Sequence, residues 1–98
     1  MTKSATQINF TKISETIQIL AQPLRLEIIS MLNESDKVCV CVMVEKFKIK
    51  QNLVSHHLGM LKRIGIVDTE RDGVRIFYSL NKDKYQQLQK DLKILFGL

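Results

Sequence analysis

One proline, four glycines and two cysteines are all that these 98 residues hold of the types that break, kink or staple a chain. So little proline and glycine, beside 45% hydrophobic and 26% charged residues, excludes a disordered or low-complexity segment and describes an ordered globular domain. Cys39 and Cys41 lie too close together to staple a fold, which excludes a disulfide scaffold and leaves any role they have a chemical one. Long apolar runs are missing as well. Each is broken by charge within a few residues, and Met1-Thr2-Lys3-Ser4 lacks the apolar stretch of a secretory signal, so a soluble, cytoplasmic protein with no membrane contact is expected. There is no phosphate-binding glycine loop, no His-Glu-x-x-His and no nucleophile with its base, so an enzyme is not expected and no cofactor is required.

What is present starts with charge. The net charge is +5, and it is concentrated. Residues 46–82 carry Lys46, Lys48, Lys50, Lys62, Arg63, Arg71, Arg75 and Lys82 against only Asp68, Glu70 and Asp72, whereas the segments on either side are nearly balanced. A local cationic excess of this kind is the footprint of a polyanion-binding surface, with a solvated basic face as the plainer alternative. A chain this short buries only about 60–65% of the surface its unfolded form exposes, and pairing with a second copy would add core.

Apolar periodicity then orders the elements. Phe10, Ile13, Ile17 and Leu20 recur at helical spacing, which predicts a helix from about residue 8 to Leu20. Pro23 suits the first turn of a second helix, with Leu24, Ile28, Met31 and Leu32 behind it and an end near Asn33. The β-branched stretch Val38–Val42 leads into a brief helix through Met43, Val44 and Phe47, and Ile49-Lys50-Gln51 reads as a tight turn. With Asn52 as N-cap, Leu53, Val54, His57, Leu58 and Leu61 form the stripe of a fourth helix that Gly65 closes. Asp72-Gly73 between alternating segments predicts a type I′ hairpin. A last helix from about Asp83 carries Tyr85, Leu88, Leu92, Leu95 and Phe96 on one face.

The order α-α-α-α-β-β-α, mostly α with a two-stranded β-hairpin wing, is that of a winged helix-turn-helix, with residues 1–98 as one DNA-binding domain. The second helix of the pair then enters the major groove. Lys50, Gln51, Asn52, Ser55, His56 and Lys62 lie at its start or outer side. Gln and Asn can bond adenine edges in pairs, Ser and His can donate or accept, and Lys48, Lys50 and Lys62 can neutralise phosphates. Arg71 and Arg75 across the hairpin turn suit phosphates or a narrow minor groove. A protein-interaction module that uses the same helix against another protein is the reading from a different class.

Four stretches, Ala21–Ile29, Val38–Cys41, Val54–Val67 with its Ser55-His56-His57-Leu58, and Arg71–Leu80, together resemble the ArsR/SmtB family of metal-sensing repressors. The resemblance covers roughly residues 8–98. It implies a homodimer held by the first and last helices, repression of an imperfect inverted-repeat operator in double-stranded DNA, and release when an inducer binds. It further implies that Ser55 and His56 face bases, that Gln51 sits at the helix start and that His57 packs. Lys50 departs from the small polar residue the family often has there.

The resemblance also assigns Cys39 and Cys41 as thiolate ligands, since a Cys-Val-Cys at the start of the third helix serves the arsenic and cadmium/lead members. Both sulfurs can reach one ion only if Cys39 is extended, because i and i+2 point about 200° apart on a helix. Two thiolates favour thiophilic species such as As(III), Sb(III), Cd(II), Pb(II) or Cu(I) over hard cations, and among these the resemblance implies As(III) foremost. Val44 stands where some arsenic sensors have a third cysteine, with Met43, Glu45 or water left to complete the set, and residues 83–98 hold no His for the family's zinc site. Thiol oxidation or persulfidation, an inducer-independent regulator, and two small buried hydrophobes are the competing readings of the pair. His56 and His57 point in different directions on a helix and make a poor metal pair.

Overall fold

The computed structural model describes residues 7–98. Five helices and three strands run in the order α1 (Phe10–Leu20), α2 (Pro23–Asn33), β1 (Val38–Cys39), α3 (Val40–Phe47), α4 (Gln51–Arg63), β2 (Val67–Asp72), β3 (Arg75–Leu80) and α5 (Lys82–Phe96). The sheet is antiparallel with order β1-β3-β2, one strand more than the expected hairpin. β1 is only two residues long, and it pairs Val38 with Tyr78 and Cys39 with Phe77.

Local chemistry sets most of the boundaries. Asn9 accepts the Lys12 N–H at 3.1 Å and starts α1. Pro23 opens α2, and Asn81 accepts the Lys84 N–H at 3.1 Å to start α5. Gly65, at φ 82°, closes α4 in the left-handed region that glycine occupies without strain.

The core lies where α2, α3 and α4 meet the sheet. Ile28, Leu32, Met43, Val54, Leu58 and Leu61 are fully buried, each worth roughly 1.5–3 kcal/mol of transfer free energy. By contrast the exposed Lys37–Glu70 ion pair, at 3.2 Å, contributes under about 1 kcal/mol. It trims the surface; the apolar stripe holds the helices.

Several expectations change. Phe10 is 57% exposed, and α1 buries only Ile13. Leu53 is likewise half exposed, so the inward stripe of α4 is Val54, Leu58 and Leu61. The N-cap of α4 is Lys50, which makes no side-chain capping bond; Asn52 sits inside the first turn. The turn from α3 is made earlier, at Lys48, which is left-handed at φ 55° with its N–H on the Val44 carbonyl at 2.9 Å, while Ile49 packs on the core.

The hairpin turn is also shifted by one residue. Asp72 pairs with Arg75, which leaves Gly73-Val74 as the loop. Gly73 has φ 62° and Val74 does not have positive φ, so the turn is of the type II′ form. This keeps the left-handed conformation on glycine, where a type I′ turn would have forced Asp72 into it as well.

α5 buries no residue at all, although Tyr85 and Leu88 touch the core. The radius of gyration, 14.5 Å, exceeds the roughly 12–13 Å of a compact chain this long. Among the described residues, the apolar face of α5 is left without enough partner to bury it.

Candidate nucleic-acid interface and thiol pair

The turn at Lys48–Lys50 delivers α4 with Val54, Leu58 and Leu61 pressed into the core and its other face outward. Lys48, Lys50, Gln51, Asn52, Ser55, His56, Lys62, Arg71 and Arg75 are all exposed. Gln51, Asn52, Ser55, His56 and Lys62 share α4, with Lys48 and Lys50 at its N-terminal end. Unlike α1 and α5, that end has no side-chain cap, and its first turn holds no acidic residue, so its leading N–H groups and positive dipole end are open to an anion. Lys48 bears a left-handed backbone that glycine would adopt at lower cost.

The two wing arginines do not lie side by side. Cross-strand pairs share a face, so Arg71, opposite Ile76, lies on the face of Tyr78 and Leu80, while Arg75, opposite Asp72, shares the other face with Asp68, Glu70 and Phe77. That second face is acidic and partly tied down: Lys37 donates to Glu70 and sits 4.8 Å from the Phe77 ring centroid, and Asn81 donates to Asp68 at 3.3 Å. Arg71 is therefore the better placed of the two for a polyanion.

Two residues outside the expected set also bear on α4. Arg25 is a cation only 4% exposed, and among the described residues no carboxylate pairs with it. Its Nη1 donates to the Ile19 carbonyl at 3.0 Å and its Nε to His57 Nδ1 at 3.1 Å. Burial, then the positive Arg25 and then His56, hold the His57 imidazole below its ordinary 6.5, which keeps Nδ1 free to accept. Gly59 is the second: a side chain there would meet nothing within 4 Å, and it lies on the face of Ser55 and Lys62. A helical spacing argument finds neither, since Arg25 reads as an exposed charge and a mid-helix glycine as a weak point.

At the other end of α3, Cys39 is extended (φ −68°, ψ 140°) and buried, while Cys41 is in the first helical turn and exposed. Their Cα atoms are 5.1 Å apart, the sulfurs are joined in a disulfide, and Cys39 Sγ accepts the Cys41 N–H at 3.2 Å. The extended Cys39 meets the geometric condition for two sulfurs to face one ion. Reduction to the dithiol is needed first. Among the described residues no His, Cys, Asp or Glu completes a group of three with them. Met43 is fully buried in the core, which removes it as a ready ligand, whereas Glu45 is exposed one helical turn beyond Cys41. Cys39 also pairs with Phe77 on β3, so the thiol pair adjoins the wing strand as well as the start of the helix pair.

Among the described residues no helix is long and apolar enough to cross a membrane. Residues 22–69 match the family described as bacterial regulatory protein, arsR family. An HTH-type transcriptional regulator of Methanocaldococcus jannaschii is 33% identical over 81 residues, which are 83% of this chain and 91% of that protein. The arsenical resistance operon repressor of Staphylococcus aureus is 30% identical over 88 residues, 90% of this chain and 84% of that protein. The crystal structure of the transcriptional repressor BigR from Xylella fastidiosa superposes with a TM-score of 0.72 at 30% identity, covering 98% of this chain and 97% of that one. These relatives regulate transcription; they are not enzymes.

Proposed function

This chain belongs to the ArsR family of bacterial regulatory proteins, and from that premise we propose that it is a homodimeric repressor which releases its operator when a thiophilic inducer, As(III) foremost, takes Cys39 and Cys41. The observation that carries the DNA-binding part is the outer face of α4, where the polar side chains of Gln51, Asn52, Ser55 and His56 stand between Lys48, Lys50 and Lys62 above an uncapped helix N-terminus. In this reading Ser55, His56, Gln51 and Asn52 meet base edges, the lysines and Arg71 meet phosphates, and Gly59 lets the helix backbone approach the groove. Arg75 adds to the wing's charge from its opposite face. The chain acts as one DNA-binding domain, with the unburied faces of α1 and α5, including Phe10 and Phe96, closing against a second copy.

The switch reading rests on where the sulfurs lie. Drawing both thiolates onto one ion changes the first turn of α3 and the β1–β3 pairing at Cys39, which biases the spacing of helix pair and wing between bound and released forms. Glu45 or water completes the ligand set. The joined sulfurs favour a second reading, in which an oxidant such as a peroxide takes two electrons from the dithiol and the disulfide is the signal. Footprinting on the DNA upstream of the protein's own gene tests the dimeric docking: two half-sites about one helical turn apart in an imperfect inverted repeat are expected, and one asymmetric half-site contradicts it.

A further inference from the structure

A buried cation with no carboxylate beside it is costly, and an apolar side chain of similar size fills such space at lower cost. Arg25 is such a cation, and the two bonds it makes run in different directions: to the Ile19 carbonyl in the last turn of α1, the negative end of that helix, and to the His57 ring on α4. His57 in turn stands edge-on to His56, with ring centroids 5.6 Å apart. His56 is exposed on the outer face of α4, and the charged or titratable groups acting on His57 are Arg25 from α2 and His56 from its own helix.

We propose that Arg25 is a positioning residue for DNA recognition: through His57 it fixes the His56 ring on the reading face of α4 and ties that face to the end of α1. The inference rests on the reading of α4 as the base-contacting helix. A guanidinium serves because its donors are set in one plane at fixed angles, so one side chain holds both partners in register. The ammonium of a lysine is a single point on a flexible stem and cannot reach the carbonyl and the imidazole in the same geometry. His57 serves because its depressed proton affinity leaves Nδ1 as an acceptor facing Arg25. Because α1 carries part of the face assigned to the dimer, the same link transmits the spacing of the two copies to the residue that reads the base.

Titration of fluorescent operator duplexes tests this with the wild type, Arg25→Lys, His57→Leu, His56→Ala and the Arg25→Lys/His56→Ala double variant. Each is measured on the operator, on the operator changed at the base pair that His56→Ala identifies, and on an unrelated duplex. Arg25→Lys is expected to cut discrimination at that base pair by about tenfold while leaving affinity for the unrelated duplex within about twofold, and to have no further effect in the His56→Ala background. A residue that only stabilised the fold would lower the melting temperature and leave the ratio intact. Unchanged discrimination in Arg25→Lys, or the same loss with and without His56, overturns the proposal while the DNA-binding reading stands. Where Arg25→Lys does not fold, His57→Leu is decisive, since it removes the acceptor and the ring; the same loss supports the proposal and a retained ratio overturns it. A wild type that binds no duplex in a salt-dependent way overturns the underlying reading and the proposal with it.

Discussion

Lys48, Lys50, Lys62, Arg71 and Arg75 are exposed cations on or beside α4 and the wing, five in each copy and ten in a dimer. Each phosphate neutralised contributes about −0.9 to the slope of log affinity against log salt, so engagement of all ten gives a slope of about −9. Between 50 and 200 mM salt that is a loss of about five decades in affinity. Replacing Lys50 by Ala removes two contacts from the dimer and is expected to flatten the slope by about 1.8, a change of about one decade across the same range. Arg71→Ala should flatten it as much, and Arg75→Ala less, because Asp72 lies opposite Arg75 on the acidic face of the hairpin. Anisotropy titrations at four or five salt concentrations measure all of this. A wild-type slope near zero, or slopes in the Lys50 and Arg71 variants equal to that of the wild type, would refute the placement of the phosphate contacts.

Phe96 is 62% exposed within one copy, so Phe96→Glu leaves the chain folded; sedimentation should show a shift from dimer to monomer, with operator affinity lost in step. Gly73→Ala places a side chain at φ 62°, where no neighbour clashes, and should cost about 1–2 kcal/mol in urea unfolding through backbone strain alone. His57 has a folded-state proton affinity below the ordinary 6.5, so the unfolded chain takes up the proton first as the pH falls. Its stabilisation is complete above about pH 7 and is lost as the pH drops through 6.5 toward the lowered value. Denaturant melts across that window should show the loss in the wild type and a smaller one in His57→Leu.

Long helices were legible because their chemistry is local. Pro23 at the start of α2, Gly65 at the end of α4 and the Val54, Leu58, Leu61 spacing each carry their own physical reason. β1 was not legible as a strand, because two residues have no period and their partners Tyr78 and Phe77 are far along the chain. Asn52 is a better capping residue than Lys50, yet the packing of Ile49 and the left-handed turn at Lys48 start α4 earlier, so tertiary contacts outweigh the cap. The exposure of the polar and basic residues proposed to meet DNA could be expected from charge and helical spacing. Arg25 could not: only the fold brings it 3.1 Å from His57, and a sequence offers no sign that a charge in an amphipathic helix is turned inward.

The claim that joins the two halves of this account is that chemistry at Cys39 and Cys41 releases the DNA. Its most direct measurement adds arsenite, antimonite, cadmium, lead or hydrogen peroxide to the reduced protein bound to operator, for the wild type, Cys39→Ser and Cys41→Ser. Release of the wild type by arsenite, with loss of that response in both serine variants, is the predicted result; release by peroxide alone would favour the disulfide as signal. Serine variants that respond as the wild type does would contradict the claim and leave a DNA-binding regulator whose inducer acts elsewhere.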